Sequence, residues 1–123
     1  MKYIRIYADA NGESHTEDVE VPTSRGPRGA LLGQPIGASS ITFRQSPPDW
    51  NQDWHNAPRR QFVITLAGEA EIVTSDGAVR RVGPGDVLLT EDVTGKGHIT
   101  RGVGTAPRIA LTVPLADQGP TSR

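Results

Sequence analysis

The chain contains no cysteine, which removes thiol chemistry from consideration. A disulfide scaffold, a thiolate zinc site and a cysteine nucleophile are therefore all excluded. Histidine is scarce as well, because His15, His55 and His98 are the only three in 123 residues. Any acid–base or metal chemistry has to draw on this short set of imidazoles.

Long apolar segments and an excess of charge of one sign are also missing. No apolar run approaches the roughly 20 residues of a membrane-spanning helix. The net charge of −1 gives no electrostatic footprint for nucleic acid. The first ten residues mix Lys2 and Arg5 with apolar side chains and lack a signal-peptide core. We therefore expect a cytoplasmic protein with neither a nucleic-acid nor a membrane partner.

Glycine and proline are abundant instead, at 14 and 10 residues. They separate short segments rich in β-branched and aromatic residues, and no amphipathic helix or internal repeat interrupts this pattern. The predicted strands are 2–7, 15–21, 39–45, 60–66, 69–74, 78–82, 87–90, 98–103 and 108–113. Eight or more short strands in a chain of this length predict an all-β sandwich or barrel. The segment 23–37 is predicted to be a long loop.

The length of the chain predicts one domain over residues 1–123. Within it we expect an N-terminal strand and arm at 1–45, a core at 46–115 and a tail at 116–123. The last residues, 117–123, are polar and are predicted to be frayed.

Two glycine-containing turns bracket a predicted hairpin in the middle of the chain. Gly68 follows one apolar strand, and the turn at 83–86 (GPGD) leads into another strand before His98. This order, over roughly residues 54–101, resembles the two motifs of the cupin superfamily. The resemblance implies a double-stranded β-helix, which is the cupin jelly-roll barrel.

Cupin metal sites are built from three histidines and one glutamate in the mouth of the barrel. On the motif spacing, His55 occupies the first histidine position, Ala57 the second and Gln61 that of the glutamate. These three positions share parity, so an extended strand would place them on one face. His98 matches the third histidine, and Gly102 stands where the motif has asparagine. The resemblance implies a divalent metal (Zn, Fe, Mn or Ni) on an incomplete set of His55, Gln61 and His98.

Three further residues are candidates to bind a substrate. Arg59 shares the strand parity of Gln61, so it is predicted to point inward and pair with a substrate carboxylate. Trp50 and Trp54 flank the approach to His55, and we interpret them as the aromatic floor of a ligand pocket. Packing in the core or at a subunit contact is the alternative role for both tryptophans.

Two imidazoles in an apolar barrel can also work without a metal, because histidine exchanges protons near neutral pH. We hypothesise a non-redox enzyme of the isomerase, dehydratase or cyclase type, in which His55 and His98 act as acid and base. Gln61 would hydrogen-bond the organic substrate. The alternatives are a metal-dependent cupin oxygenase or isomerase, and a non-catalytic ligand-binding or sensor module. Glu91 and Asp92 are predicted to be solvated acids of a loop; the alternative is that one of them supplies the carboxylate missing from the metal site if the loop folds inward.

The expected partners are a small-molecule ligand and a second copy of the chain. Cupin barrels often pair by exchanging or augmenting N-terminal strands, which implies a homodimer formed through strand 2–7 and arm 23–37. His15 lies outside the motifs and is interpreted as a surface or edge-strand histidine.

Overall fold

The computed structural model describes residues 1–119, and residues 120–123 of the predicted tail lie outside the described residues. The described part of the chain consists of strands joined by turns, with one short 3-10 turn at Pro27–Gly29 and no α-helix. Its strands are β1 (Lys2–Ala8), β2 (Ser14–Glu20), β3 (Thr23–Arg25), β4 (Leu31–Gly33), β5 (Thr42–Ser46), β6 (Asn51–His55), β7 (Gln61–Ala67), β8 (Glu69–Thr74), β9 (Val79–Val82), β10 (Val87–Thr90), β11 (His98–Val103) and β12 (Arg108–Pro114). No helix within residues 1–119 is long and apolar enough to cross a membrane.

Two sheets form the body of the molecule. The larger has six strands in the order β2-β1-β10-β7-β12-β5, and the smaller has four in the order β6-β11-β8-β9. Neighbouring strands are antiparallel except β1 and β10, which are parallel. The all-β prediction is confirmed.

The apolar core lies between the two sheets. Ile4, Ile6 and Leu88 from the larger sheet cluster with Ile72 and Val82 from the smaller one. The N-terminal strand β1 therefore contributes to the core. It pairs with β2 on one edge and with β10 on the other, so both of its edges are occupied within the chain.

The structure departs from the sequence-based expectations in three places. The predicted loop at 23–37 contains the hairpin of β3 and β4, and residues 51–55 form the unpredicted strand β6. The prediction of a frayed tail is wrong for residues 117–119. The side chain of Gln118 donates to the Arg60 carbonyl and accepts from the Arg60 N–H, both at 2.8 Å, which holds this segment against the body.

The larger sheet turns its more polar face inward at β7 and β12. The inward side chains are Gln61, Val63, Thr65, Arg108, Ala110 and Thr112, and the outward ones include Phe62, Ile64, Leu66, Leu111 and Val113. Alternation along a strand normally places the apolar face on the core. Its inversion here means that the space between the two sheets at β7 and β12 is a cavity lined in part by polar side chains.

Candidate functional site

A cavity of about 240 Å³ opens between the two sheets. Ligand pockets for drug-sized molecules span roughly 300–1,000 Å³, so this one suits a smaller molecule. The residues that line it are Arg44, Trp50, Gln52, His55, Asn56, Ala57, Pro58, Gln61, Val63, Ile72, Leu88, Thr90, His98, Thr100, Arg108, Ala110 and Thr112. The structure thus brings together His55, Gln61 and His98, the three residues predicted to carry the chemistry.

His55 and His98 form a close pair inside the cavity. His55 ends β6 and His98 begins β11, and these residues lie opposite each other in the antiparallel pairing of the two strands. Their ring centroids are 4.4 Å apart at an interplanar angle of 55°. Gly97 permits this approach, since a Cβ on it would lie 2.2 Å from the His55 carbonyl oxygen.

In each histidine the Nδ1 atom makes a hydrogen bond, and the Nε2 atom has no hydrogen-bond partner among the described residues. His55 Nδ1 lies 2.8 Å from the carbonyl oxygen of Asp53, which can only accept, so this nitrogen carries the hydrogen. His98 Nδ1 lies 2.5 Å from Asp92 Oδ2. The site therefore presents two Nε2 atoms for chemistry, one of them backed by a carboxylate.

Burial lowers the pKa of His55 below its ordinary value, against the hydrogen bond to Asp53, which raises it. The electrostatic interaction with His98 lowers this pKa further. His55 is accordingly a neutral imidazole at pH 7, and its Nε2 lone pair is able to accept a proton.

Glu91 and Asp92 are buried, so the prediction that they are solvated loop acids is wrong. Asp92 is fully buried, and its Oδ1 has no hydrogen-bond partner among the described residues. Glu91 is 4% exposed and forms ion pairs with Arg5 and Arg60. The Glu91 N–H also donates to the Ile6 carbonyl, which carries the chain inward beyond the end of β10. Buried carboxylates persist where cations or donors compensate them, and both acids have such partners.

The predicted substrate residues are divided by the structure. Trp50 lines the cavity, and the guanidinium of Arg44 lies over its ring at 4.6 Å. Trp54 is 48% exposed and lines a separate shallow surface depression. Arg59 is exposed and is not among the residues that line the cavity.

The parity argument for Arg59 fails for a local reason. Strand β6 ends at His55 and β7 begins at Gln61, so residues 56–60 form a connection and are not extended strand. Alternation cannot be carried across such a break. His55, Ala57 and Gln61 still line one cavity, and Asn56 and Pro58 of the connection line it as well.

The donors in the cavity do not match the three-histidine and one-glutamate set that a cupin metal site implies. No group of three or more His, Cys, Asp or Glu side chains within residues 1–119 is placed to hold a metal ion. The available donors are the two Nε2 atoms and the carboxamide of Gln61. Asp92 is engaged with His98 Nδ1 and Glu91 with two arginines, so neither supplies the missing carboxylate.

Arg108 is the functional candidate that sequence reasoning missed. It is 9% exposed, lines the cavity, and donates from Nη2 to Thr65 Oγ1 at 3.0 Å. It opens a strand in which Ile109, Leu111 and Val113 alternate with smaller or polar residues. That pattern predicts that Ile109, Leu111 and Val113 face the core and that Arg108 faces solvent. The structure shows the opposite, because the more polar face of this sheet lies inward.

No model of a known protein family matches the chain, and no curated protein matches it. The geometry and chemistry of the cavity therefore carry the functional argument.

Proposed function

We propose that this chain is a small cupin-type barrel, a double-stranded β-helix, that catalyses a non-redox proton transfer on a small organic substrate. The observation that carries the proposal is the His55–His98 pair, with ring centroids 4.4 Å apart in a cavity between two sheets. Isomerases, dehydratases and cyclases all need a base and an acid placed around one substrate. Two histidines with free Nε2 atoms supply both.

The environments of the two histidines assign their roles. His55 is neutral, so its Nε2 removes a proton from a substrate carbon. His98 carries the second proton and donates it from Nε2 to the substrate oxygen that gains the electron pair. Asp92 fixes the ring of His98 and compensates the positive charge that this ring holds before it donates. His55 then returns its proton to a different carbon while the new hydroxyl gives its proton back to His98, which completes an isomerisation and restores both histidines.

Gln61 assists by hydrogen bonding. Its side chain lines the cavity from the first residue of β7, below the loop that connects β6 to β7. A carboxamide both donates and accepts, so Gln61 can orient a substrate carbonyl or hydroxyl without itself exchanging a proton.

The test is proton exchange with solvent. A panel of small keto and hydroxy acids is incubated with the protein in D₂O, and loss of C–H signal is followed by proton NMR. We expect exchange with the native chain and its loss in His55→Asn and His98→Asn. His15→Asn is the matched control, because His15 lies on edge strand β2 and does not line the cavity. Ligand binding without exchange on any panel member would identify a ligand-binding or sensor module instead.

A metal-dependent oxygenase or isomerase is the second candidate, and one observation favours it. Metal-ligating histidines commonly donate their other ring N–H to a carboxylate or carbonyl, which is the arrangement of Asp92 with His98 and of Asp53 with His55. Elemental analysis of protein purified without chelator decides between the candidates. Stoichiometric metal that is lost in His98→Ala would replace the metal-free proposal.

We further propose that two copies of the chain pair through the outer face of the larger sheet. The outward positions of β5, β7 and β12 carry no charged side chain. Among them, Phe43 is 75% exposed and Leu66 is 50% exposed. A two-fold interface brings the same patch of both copies together, so a face without charge avoids burying like charges against each other.

A further inference from the structure

Arg108 is a buried cation without a counter-ion. It is the only buried lysine or arginine within residues 1–119, and it forms no ion pair with any described residue. Its one side-chain hydrogen bond goes to the neutral hydroxyl of Thr65, and its Nε has no partner among the described residues. Buried charges are normally paired, so an unpaired guanidinium at a cavity wall indicates that the partner comes from outside the chain.

A second arginine lies on the same wall. In the pairing of β5 with β12, Arg108 is opposite Ser46 and Arg44 is opposite Ala110. Arg44 and Arg108 are therefore diagonal neighbours on one face, at a Cβ separation of about 7–8 Å. Both line the cavity, and the guanidinium of Arg44 is held over the ring of Trp50.

The cavity contains nothing that neutralises these two charges. No aspartate or glutamate is among its lining residues. Burial lowers the pKa of Arg108, and the charge of Arg44 adds to the same effect. The unliganded protein thus holds two like charges on one wall of the cavity, the buried one at Arg108 and an exposed one at Arg44, and an incoming anion would relieve their repulsion.

We propose that Arg108 and Arg44 bind the carboxylate of the substrate, which makes the substrate a small organic acid. This inference rests on the proposed function and names its substrate class. A guanidinium matches a carboxylate through N–H···O bonds, and Nη1 of Arg108 makes no hydrogen bond with any described residue, while Nη2 already bonds Thr65. The cavity of about 240 Å³ limits the acid to roughly the size of a single ring. Arg108 takes the role that sequence parity assigned to Arg59.

Benzoate is the probe, and benzamide is its neutral counterpart of the same shape. The chain has two tryptophans, so Trp54→Phe leaves Trp50 as the only indole to report on the cavity. In this background we expect benzoate to change the Trp50 fluorescence at millimolar concentration or below. Benzamide should bind at least about ten times more weakly, because it offers no charge to the arginines.

Variants of the arginines locate the effect. Arg108→Met is expected to weaken benzoate binding by about 10- to 100-fold. The unliganded variant should unfold at the same or a higher temperature, since an unpaired buried charge is removed. Arg44→Gln, at an exposed position, should also weaken binding, and it replaces Arg108→Met if that variant does not fold. Arg59→Met is the matched control and should bind benzoate as the Trp54→Phe protein does.

Three outcomes would overturn the inference. They are no benzoate binding, equal binding of benzoate and benzamide, and unchanged benzoate binding in both Arg108→Met and Arg44→Gln. Inorganic phosphate binding more tightly than benzoate would show that the site selects a different anion. His98→Asn separates this inference from the proposed function, because it should bind benzoate normally while losing proton exchange. Benzoate binding without exchange in the native chain would sink the proposed reaction and leave the carboxylate site standing.

Discussion

His98 lies against His55 with ring centroids 4.4 Å apart, although the two residues come from different strands and are far apart in the sequence. Two imidazolium charges at that distance repel each other, and a cavity between two sheets screens them poorly. Burial and the proximity of His98 both lower the pKa of His55, so His55 is the ring expected to be neutral at pH 7. The proposed function accordingly gives His55 the role of base and His98 that of acid.

The pH profile of proton exchange should show this asymmetry. A base works only when deprotonated, so exchange should decline as the pH falls through the pKa of His55. Because burial lowers this pKa, the midpoint of the acidic limb should lie below 6.5, the ordinary value for histidine. The measurement is the exchange rate against pH by NMR. An acidic limb centred above 6.5 would contradict the assignment of His55 as base.

Asp92→Asn tests the carboxylate behind His98. Asparagine keeps the volume but removes the negative charge that compensates a protonated His98. We expect the exchange rate to fall by about 10²- to 10⁴-fold, the range that general acid–base catalysis contributes. The variant is compared with the native chain under saturating substrate, so that the effect on turnover is separated from that on binding.

Glu91→Gln is the control for Asp92→Asn. Glu91 is the adjacent buried carboxylate, but it bonds Arg5 and Arg60 and does not line the cavity. Breaking a buried ion pair costs about 3–5 kcal/mol, so this variant should lower the free energy of unfolding while leaving exchange intact in the folded protein. Equal losses of exchange in both variants would mean that Asp92 acts only through stability.

Much of the strand order follows directly from the sequence, because turn chemistry and β-branched runs are local signals. The hairpin of β8 and β9 is an example, since Gly77 adopts φ +91° in the turn that Ser75-Asp76-Gly77 predicts. Strand β6 escaped prediction because four of its five residues are exposed and mostly polar. Only pairing with β11 makes it a strand, and that pairing is a long-range property.

The candidate site could be predicted in part. His55, Gln61 and His98 were found because the resemblance to cupin motifs selects them, and the structure places all three in one cavity. The burial of Asp92 and Arg108 could not be found from pattern, because polar residues in a loop or at a strand start normally face solvent. Arg108 is buried against the cavity, and Asp92 is buried against the ring of His98.

Gly97→Ala should damage both the fold and the site. Gly97 has φ +75°, and an added Cβ would meet the His55 carbonyl carbon and oxygen at 2.5 and 2.2 Å. The backbone conformation alone costs a non-glycine residue about 1–3 kcal/mol, and the clash adds to this. We expect a large loss in the free energy of unfolding by denaturant titration, and loss of proton exchange in the remaining folded protein.

Gly77→Ala isolates the contribution of the clash. Gly77 also has positive φ, at +91°, but no atom lies within 4 Å of a Cβ built on it. This variant should show the conformational cost alone and keep full exchange activity. If both variants lose equal stability and both remain active, the close approach of Gly97 to His55 does not set the histidine pair.

His15 should make stability depend on pH in a way that is unrelated to catalysis. Its Nε2 lies 2.7 Å from Asp9 and its Nδ1 lies 3.0 Å from Asp76. The hydrogen bond to Asp9 is the main cause that raises the pKa of His15, with Asp76 adding to it against the effect of burial. A raised folded-state pKa gives stability that is fully present below the unfolded value of 6.5 and is lost as pH rises through the folded value.

At pH values below 6.5 we therefore expect His15→Asn to lower the temperature of the unfolding midpoint. At alkaline pH the same substitution should have a smaller effect. The pKa values of Asp9 and Asp76 are lowered, so the contribution of these two carboxylates to stability should be lost only in more strongly acidic solution. Thermal unfolding across pH, native against variant, makes the comparison. A difference that grows toward alkaline pH would show that His15 is not stabilised as the cation.

Charge placed on the outer face of the larger sheet should prevent pairing of the chain. Phe43 is 75% exposed and Leu66 is 50% exposed, and both belong to strands whose outward positions are uncharged. A two-fold interface buries the same patch of both copies, so each substitution would bury two unpaired lysines, and Phe43→Lys and Leu66→Lys should convert a dimer to a monomer in sedimentation velocity. Val79→Lys is the matched control, because Val79 is 52% exposed on β9 of the other sheet. A dimer that survives both substitutions, or one that Val79→Lys alone dissociates, would place the interface elsewhere.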